Sequence, residues 1–207
     1  MGTFVVGIAG GTGAGKTTLA RRLRDAAPAG AVAHLALDDY YRDLSDLPLD
    51  ARGARDFDRP EALDLERLVA DLEALRAGRA ADVPVYDFRV HARDRERVRR
   101  VEPAPLVVVE GILLLADARV RERLDLRVFV DAPADVRLAR RLRRDVAERG
   151  RTPQSVLAQY DASVRPAHEA LVAPSRAHAH VVVPGDVAGA FDGIVAWLAA
   201  WAHATRA

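Results

Sequence analysis

The stretch Gly10-Gly11-Thr12-Gly13-Ala14-Gly15-Lys16-Thr17 decides the fold of this chain. It fits the pattern G-x-x-x-x-G-K-[ST], in which glycines let backbone N–H groups turn inward around phosphate oxygens. An apolar run at residues 4–9 precedes the stretch, and a helical pattern begins at residue 16. A helix that begins there adds partial positive charge to the loop. The sequence therefore predicts a phosphate-binding loop, or P-loop, between a buried strand and a helix.

Lys16 is the only lysine of the chain, which otherwise contains thirty arginines. A compact ammonium group can enter between phosphate oxygens where a planar guanidinium is too bulky. We therefore expect Lys16 to bridge the β- and γ-phosphates of a nucleoside triphosphate and the Thr17 hydroxyl to bind Mg²⁺. The other residues expected to bind this cofactor are Gly10, Gly11, Thr12, Gly13, Ala14, Gly15 and Thr18.

The bulk composition limits the class of protein. The chain has 207 residues, half of them hydrophobic, with a formal net charge of +1 and no cysteine. A nearly neutral chain argues against a dedicated nucleic-acid surface, and the absence of cysteine excludes disulfides. Apolar runs stay shorter than the roughly 18 residues of a membrane span, and the first residues predict a buried strand rather than a signal peptide. We expect one soluble, cytoplasmic domain over residues 1–207.

Short apolar runs alternate with amphipathic helical patterns along the chain, which is typical of an α/β fold with a mostly parallel central sheet flanked by helices. Strands are predicted at residues 4–9, 32–37, 106–110, 127–131 and 180–183. Helices are predicted at residues 16–27, 61–77, 119–124, 134–149, 155–164 and 187–203. An alternating, arginine-rich stretch at about 83–101 predicts a β-hairpin-like insertion, and residues 42–59 predict an irregular loop.

Carboxylates follow two of the predicted strands. The run Leu106-Val107-Val108-Val109 ends in Glu110, as a Walker B strand does, and would place Glu110 beside the phosphates as a Mg²⁺ ligand. Asp38 and Asp39 follow the strand at residues 32–37. A phosphoryl acceptor needs a base near the γ-phosphate, and Asp38 is our candidate, with a second role near the metal. Asp39 remains the rival, because adjacent residues on a strand point in opposite directions.

Several further motifs occur in a fixed order along the chain. They are Asp38–Tyr41, Asp56-Phe57-Asp58-Arg59-Pro60, Pro84-Val85-Tyr86-Asp87-Phe88-Arg89-Val90-His91, Val109-Glu110-Gly111, Arg144-Asp145-Val146-Ala147-Glu148-Arg149-Gly150-Arg151, Ala158-Gln159-Tyr160 and Val164-Arg165-Pro166. Together with the P-loop, this ordered set closely resembles the uridine kinase (uridine–cytidine kinase) family. The resemblance extends from residue 4 to about residue 184 and implies a P-loop kinase fold.

The resemblance also implies roles in binding a nucleoside. Asp38 resembles the catalytic base that faces the 5′-hydroxyl, and Asp58 resembles the residue that holds the ribose 2′- and 3′-hydroxyls. Tyr86, Phe88 and His91 resemble the wall around the pyrimidine, and the chain must turn between Tyr86 and His91 if both touch the base. The remaining residues implied near the acceptor are Tyr41, Arg151 and Gln159.

A helical, arginine-rich lid over the phosphates is implied at about residues 134–160. In this lid Arg141, Arg144 and Arg149 would meet phosphate oxygens, with Arg144 and Arg149 stabilising the transferring group. We assign Arg140 and Arg143 to a solvated face. The sequence departs from the family pattern at Gly13-Ala14, where Ala-Ser is common, and at Pro184-Gly185-Asp186, where Pro-Arg-Gly is typical, so contacts with adenine stay undefined.

The leading hypothesis is Mg²⁺-dependent phosphorylation of uridine and cytidine by ATP or GTP, giving UMP and CMP for pyrimidine salvage. The resemblance also implies a homo-oligomer, often a tetramer, with small-molecule partners and neither nucleic acid nor membrane. A phosphoribulokinase-like or other small-molecule kinase is the alternative, although a sugar phosphate has no base to stack on aromatic side chains. A GTPase switch is excluded because its Asn/Thr-Lys-x-Asp motif needs a second lysine. An inactive nucleotide-binding module is disfavoured by the joint presence of Lys16, Asp38 and Glu110.

Overall fold

A computed structural model describes residues 2–53 and 55–205 of the chain. The strands are β1 Phe4–Ala9, β2 Val32–Ala36, β3 Ala81–Asp87, β4 Ala92–Val101, β5 Leu106–Glu110, β6 Leu126–Asp131 and β7 Val181–Pro184. The α-helices are α1 Lys16–Ala26, α2 Leu49–Gly53, α3 Leu65–Arg76, α4 Ala118–Arg121, α5 Ala134–Arg149, α6 Pro153–Gln159, α7 Arg165–Ala167, α8 Ala173–Ser175 and α9 Asp192–Ala204. In this part of the chain no helix is both long and apolar enough to cross a membrane.

The central sheet is parallel and has the strand order β2-β5-β1-β6-β7 within the described residues. All five of its strands were predicted to within a residue or two. Parallel strands bring their carboxyl ends to one edge of the sheet, and β2, β5 and β1 are direct neighbours there. This order therefore brings the residues that follow these three strands to the same place.

Side chains of β1 alternate between two hydrophobic clusters, one on each face of the sheet. Val5 contributes to the cluster that also contains α3, whereas Val6 and Ile8 contribute to the cluster beneath α1 and α9. Helix α3 fully buries Leu68, Leu72 and Leu75. Burial of each such leucine stabilises the fold by about 1.5–3 kcal/mol, so the sheet is a rigid base for the loops at its edge.

The predicted insertion is an antiparallel hairpin of β3 and β4, separate from the central sheet. Arg93 docks it, because its Nε donates to the Tyr41 carbonyl oxygen at 2.7 Å and its guanidinium lies 3.2 Å from the Asp64 carboxylate. A second link joins Arg99 of β4 to Asp39 at 3.0 Å. The hairpin is therefore fixed to the turn that follows β2.

The helix boundaries differ more from prediction than the strands do. Helix α3 begins at Leu65 rather than residue 61, because Pro60–Ala62 form a 3₁₀ turn and the Asp64 side chain caps the helix by accepting from the Arg67 N–H. Helix α4 covers only Ala118–Arg121, α9 begins at Asp192, and residues 42–59 contain the short helix α2. The helix predicted at residues 155–164 does not end at residue 164.

Beyond α6 the helical path continues through α7 and α8, with π-helical turns at Tyr160–Val164 and His168–Val172. Each π turn accommodates one extra residue in the backbone ladder and shifts the facing side chains. Pro166 and Pro174 lie in α7 and α8 directly after these turns, so the missing N–H groups do not end the path.

Candidate active site

The P-loop has the predicted conformation between β1 and α1. Gly13 adopts a φ of +74°, and a Cβ there would lie 2.3 Å from the Arg137 carbonyl oxygen, so only glycine fits. The Lys16 side chain is 8 % exposed, and its Nζ donates to the Gly11 carbonyl oxygen at 3.0 Å. The P-loop therefore wraps around the Lys16 side chain, and Gly13 packs directly on the backbone of α5.

Glu110 and Thr17 meet at the edge of the sheet because β5 pairs with β1. The Thr17 hydroxyl donates to the Glu110 carboxylate at 2.8 Å. Burial raises the pKa of Glu110 against the opposing effect of Lys16, and burial lowers the pKa of Lys16 against the effects of Glu110 and Asp38. Both shifts come from the loss of water around paired charges, as expected of a site built to receive a charged ligand.

Asp38 and Asp39 lie in a 3₁₀ turn, Leu37–Tyr40, and not on the strand itself. Asp38 lines the cavity that also contains Lys16. Asp39 is not one of the described residues that line this cavity. Its carboxylate accepts a hydrogen bond from the Arg99 guanidinium at 3.0 Å. The two carboxylates therefore have different surroundings. Asp38 faces the cavity, and Asp39 binds Arg99 of the hairpin.

A cavity of about 450 Å³ joins the P-loop, the lid and the hairpin. Most of the residues predicted for the site line it: Thr12, Lys16, Thr17, Asp38, Tyr41, Asp58, Phe88, His91, Glu110, Arg141, Arg144, Arg149, Arg151 and Gln159. Sequence reasoning missed five others, which are Gly53, Phe57, Arg89, Ile112 and Ser155. The volume lies in the range of small-molecule sites.

Aromatic side chains form one end of this cavity. Phe57 and His91 are stacked, with ring centroids 4.9 Å apart and an interplanar angle of 23°. Phe57 directly precedes Asp58, so the motif around Asp58 contained a signal for it. Tyr86 is not among the described lining residues, and it packs instead behind Tyr41 and Phe88 at centroid distances of 5.3 and 5.2 Å. The required turn lies between β3 and β4, where His91 has a φ of +48°.

Asp58 also lines the cavity, and it is buried. The Ser163 hydroxyl, from the first π turn, donates to Asp58 at 3.2 Å. Burial raises the pKa of Asp58, and the charge of Arg141 opposes the shift. Burial likewise lowers the pKa of His91, and Arg151 and Arg149 add to the shift. A neutral imidazole at this position can both donate and accept hydrogen bonds.

Helix α5 buries several of its charged side chains. Arg137, Arg141 and Asp145 are buried, whereas Val146 is 40 % exposed. Arg141 donates to the Thr12 hydroxyl at 3.4 Å and to the Gln159 side-chain oxygen at 2.8 Å. The lid helix therefore presents cations to the P-loop.

The assignment of Arg140 to a solvated face is wrong, while Arg143 is exposed as expected. Arg140 donates to the Gly185 carbonyl oxygen at 2.9 Å. It lines a second cavity of about 410 Å³ together with Gly13, Gly15, Lys16, Thr17, Thr18, Arg144, Gly185 and Phe191. A Cβ at Gly185 would lie 2.0 Å from the Ala14 carbonyl oxygen, so close packing explains the glycine that departs from the family pattern.

The parallel sheet, the P-loop and the helical lid define a P-loop kinase fold. Phosphoribulokinase from Rhodobacter spheroides has a similar structure, with a TM-score of 0.63 and 14 % identity over 88 % of this chain and 70 % of that one. At this identity the likeness concerns the fold alone.

The sequence comparisons identify the family. The sequence model of the protein family described as "Phosphoribulokinase / Uridine kinase family" matches residues 5–187. The chain belongs to this family. A uridine kinase from Deinococcus deserti is 48 % identical over 181 residues, which are 87 % of each chain. A uridine kinase from Chloroflexus aggregans is 46 % identical over 182 residues, 88 % of this chain and 87 % of that protein. The predicted resemblance is thus confirmed.

Proposed function

We propose that this protein transfers the γ-phosphoryl group of ATP or GTP to the 5′-hydroxyl of uridine and cytidine. The observation that carries the proposal is one cavity lined by Lys16 and Asp38 at one end and by Phe57, Phe88 and His91 at the other. A phosphate end and a base-sized aromatic end in one cavity suit a nucleoside acceptor. The relatives named uridine kinase support the same substrate class.

In this proposal Asp38 acts as the general base. Its carboxylate accepts the proton of the 5′-hydroxyl as that oxygen forms a bond to the γ-phosphorus and the bond to the β,γ-bridging oxygen breaks. Lys16 and the lid residues Arg144 and Arg149 stabilise the negative charge on the transferring group.

Asp58 orients the ribose in the same proposal. Its carboxylate can accept from both the 2′- and the 3′-hydroxyl, and the Ser163 hydroxyl fixes one of its oxygens. A site built to bind two hydroxyls disfavours a substrate with one, because a buried acceptor is then left without a partner. We therefore expect 2′-deoxycytidine to be a poorer substrate than cytidine.

Magnesium is the metal that the family implies, and the residues fit it. Thr17 and Glu110 supply oxygen ligands that Mg²⁺ accepts, and Asp38 is a third candidate. Within the described residues no three His, Cys, Asp or Glu side chains form a metal-binding group by themselves. That arrangement is consistent with a metal held by one or two protein groups and the phosphates of the substrate. When bound, Mg²⁺ would neutralise charge on the β- and γ-phosphates.

The direct test is an assay of nucleoside diphosphate release, ADP from ATP or GDP from GTP, with uridine, cytidine, 2′-deoxycytidine, adenosine and ribulose 5-phosphate as acceptors. We expect turnover with uridine and cytidine. Turnover with ribulose 5-phosphate alone would favour the phosphoribulokinase-like alternative. The absence of turnover with every acceptor would support an inactive nucleotide-binding module.

A variant tests the aromatic end separately. We expect His91→Ala to raise the KM for uridine and cytidine at least tenfold, because the stacked Phe57–His91 pair and the ring nitrogens are lost, while the KM for ATP stays within twofold. Val90→Ala is the matched control, since Val90 lies in the same turn and is 41 % exposed. A change in the KM for ATP alone would contradict this pocket assignment. The homo-oligomer, the cytoplasmic location and the role in pyrimidine salvage stay predictions.

A further inference from the structure

A single carboxylate lies at the centre of the lid arginines. Asp145 on α5 is 0 % exposed. Guanidinium nitrogens from four arginines lie within 4 Å of it, at 2.8 Å for Arg144, 3.5 Å for Arg141, 3.6 Å for Arg149 and 3.9 Å for Arg151. The cluster therefore has a formal excess of three positive charges.

The arginines lie between this carboxylate and the cavity. All four line the cavity of about 450 Å³, whereas Asp145 is not among its described lining residues. Arg141 and Arg151 both donate to the Gln159 side-chain oxygen, and the Arg149 guanidinium lies 4.3 Å from the centre of the Phe88 ring. Each arginine thus has Asp145 behind it and the cavity in front of it.

The contacts between Asp145 and the four arginines differ in strength, which would let some of the arginines exchange Asp145 for a phosphate. Among the described side chains only Arg144 donates a hydrogen bond to the Asp145 carboxylate, at 2.9 Å through its Nε, and no described residue is a hydrogen-bond partner of the Asp145 Oδ2 atom. A purely structural buried carboxylate normally satisfies both of its oxygens. Arg141, Arg149 and Arg151 lie 3.5–3.9 Å from the carboxylate without a hydrogen bond to it, so another anion would compete there only with a charge contact.

We propose that Asp145 is a positioning residue for phosphoryl transfer, which holds the lid arginines together as one cluster before the phosphates of the donor arrive. Its charge limits the mutual repulsion of the four guanidinium groups, and the three uncompensated charges remain available to the triphosphate. Asp145 touches neither substrate. The inference rests on the proposed function and adds to it the residue that orders the lid.

Asp145→Asn tests the proposal because it keeps the shape and removes the charge. We expect kcat to fall on the order of 10²-fold, since displacement of phosphate-binding groups by about 1 Å has that effect. We expect inorganic tripolyphosphate to bind several-fold more tightly, because the cluster gains one net positive charge. Steady-state kinetics and titration calorimetry measure the two quantities. A fall in kcat together with tighter anion binding is a split that simple loss of structure does not produce.

Glu148→Gln is the matched control, since Glu148 is an exposed residue of the same helix and loses the same charge. We expect its kcat to stay within twofold of the wild type. The proposal is overturned if Asp145→Asn leaves kcat unchanged. It is also overturned if kcat and tripolyphosphate affinity fall together with the melting temperature, which would mark Asp145 as structural.

A second variant keeps the question open to test if Asp145→Asn does not fold. Asp145→Glu retains the charge and moves it by one methylene, so we expect a lower kcat with unchanged tripolyphosphate affinity. Equal kcat in this variant and the wild type would refute the positioning role. Failure of the proposed function is separately visible, because the wild type would then not phosphorylate uridine, whereas tripolyphosphate binding needs no nucleoside.

Discussion

The charged groups of the active site are held in two different ways at the sheet edge and in the lid. At the sheet edge, Glu110 ends one parallel strand, and Lys16 and Asp38 come after its two neighbours. In the lid, four arginines surround Asp145, and two of them, Arg141 and Arg151, also donate to the Gln159 side-chain oxygen. Backbone geometry positions the first set and charge compensation the second. We therefore expect the sheet edge to be sensitive to changes of shape and the lid to the loss or displacement of a charge.

The largest expected effect is at the sheet edge. Asp38→Asn should reduce kcat about 10³-fold while nucleoside binding survives, because loss of a general base typically costs 10²- to 10⁴-fold. Asp39→Asn is the control in the neighbouring position. It loses an ion pair to the partly exposed Arg99, so we expect less than a threefold change in kcat. Rate measurements on both variants, with uridine binding by calorimetry, decide between them. Near-normal turnover of Asp38→Asn would transfer the role to Asp39.

A reciprocal exchange of cations compares the two regions directly. Lys16→Arg should reduce kcat about 10²-fold, because a larger planar group must enter a closed loop that holds Nζ against the Gly11 carbonyl oxygen. Arg141→Lys should reduce kcat only about tenfold, since the charge remains near Asp145 while the contacts to Thr12 and Gln159 are lost. Steady-state kinetics of both variants give the comparison. Equal losses would mean that the two regions are not held differently.

A pair of glycine substitutions tests the role of shape. Gly13 and Gly150 have similar φ values, +74° and +64°, so alanine at either costs about 1–2 kcal/mol of backbone strain. At Gly13 the new Cβ would also meet the Arg137 carbonyl oxygen at 2.3 Å, whereas at Gly150 no atom of the other described residues, its two chain neighbours excepted, would lie within 4 Å of the new Cβ. We expect Gly13→Ala to lower the free energy of unfolding by about 3 kcal/mol, roughly twice the loss at Gly150. Urea denaturation measures the free energy of unfolding of both variants. Equal losses would show that α5 moves away to accommodate the new Cβ at residue 13.

The smallest expected effect is on the pH dependence of stability, and it comes from His168, which lies near both the P-loop and α5. His168 lies against Gly11, and burial together with the charge of Arg137 lowers its pKa to about 4. The folded protein therefore keeps this imidazole neutral while the unfolded chain binds a proton near pH 6.5, so stability is lost as the pH falls from 6.5 toward 4. Because the ring is partly exposed, we expect this loss to be on the order of 1 kcal/mol between pH 7 and pH 5. His168→Gln should remove it in urea denaturation, and parallel pH profiles would contradict the assignment.

Much of the sheet edge could be predicted because its signals are local. The P-loop motif sets its own backbone conformation, and short apolar runs set β1, β2 and β5 within a residue. Strand neighbours, however, depend on tertiary structure. The sequence left Asp38 and Asp39 as rivals, and the structure separates their surroundings through Arg99, sixty residues later in the chain.

The lid was harder to predict because its contacts join distant segments. Arg140 was misassigned, since its partner Gly185 lies beyond three further α-helices and a strand. Asp145 was quoted in a motif but given no role, because a carboxylate among arginines is also typical of solvent-exposed i,i+4 pairs. Phe57 was missed for a related reason, as its stacking partner His91 comes from the hairpin. Burial, which decides each of these cases, is a property of the assembled fold.

The solitary lysine has a practical consequence for chemical biology. Apart from the α-amino group, Lys16 is the only primary amine of the chain, and burial lowers its pKa. A lowered pKa increases the neutral, nucleophilic fraction at a given pH. A small amine-reactive acylating reagent would therefore modify one defined side chain, inside the phosphate site. Protection by a nucleotide would then report occupancy of that site by the loss of a single mass increment, without any engineered label.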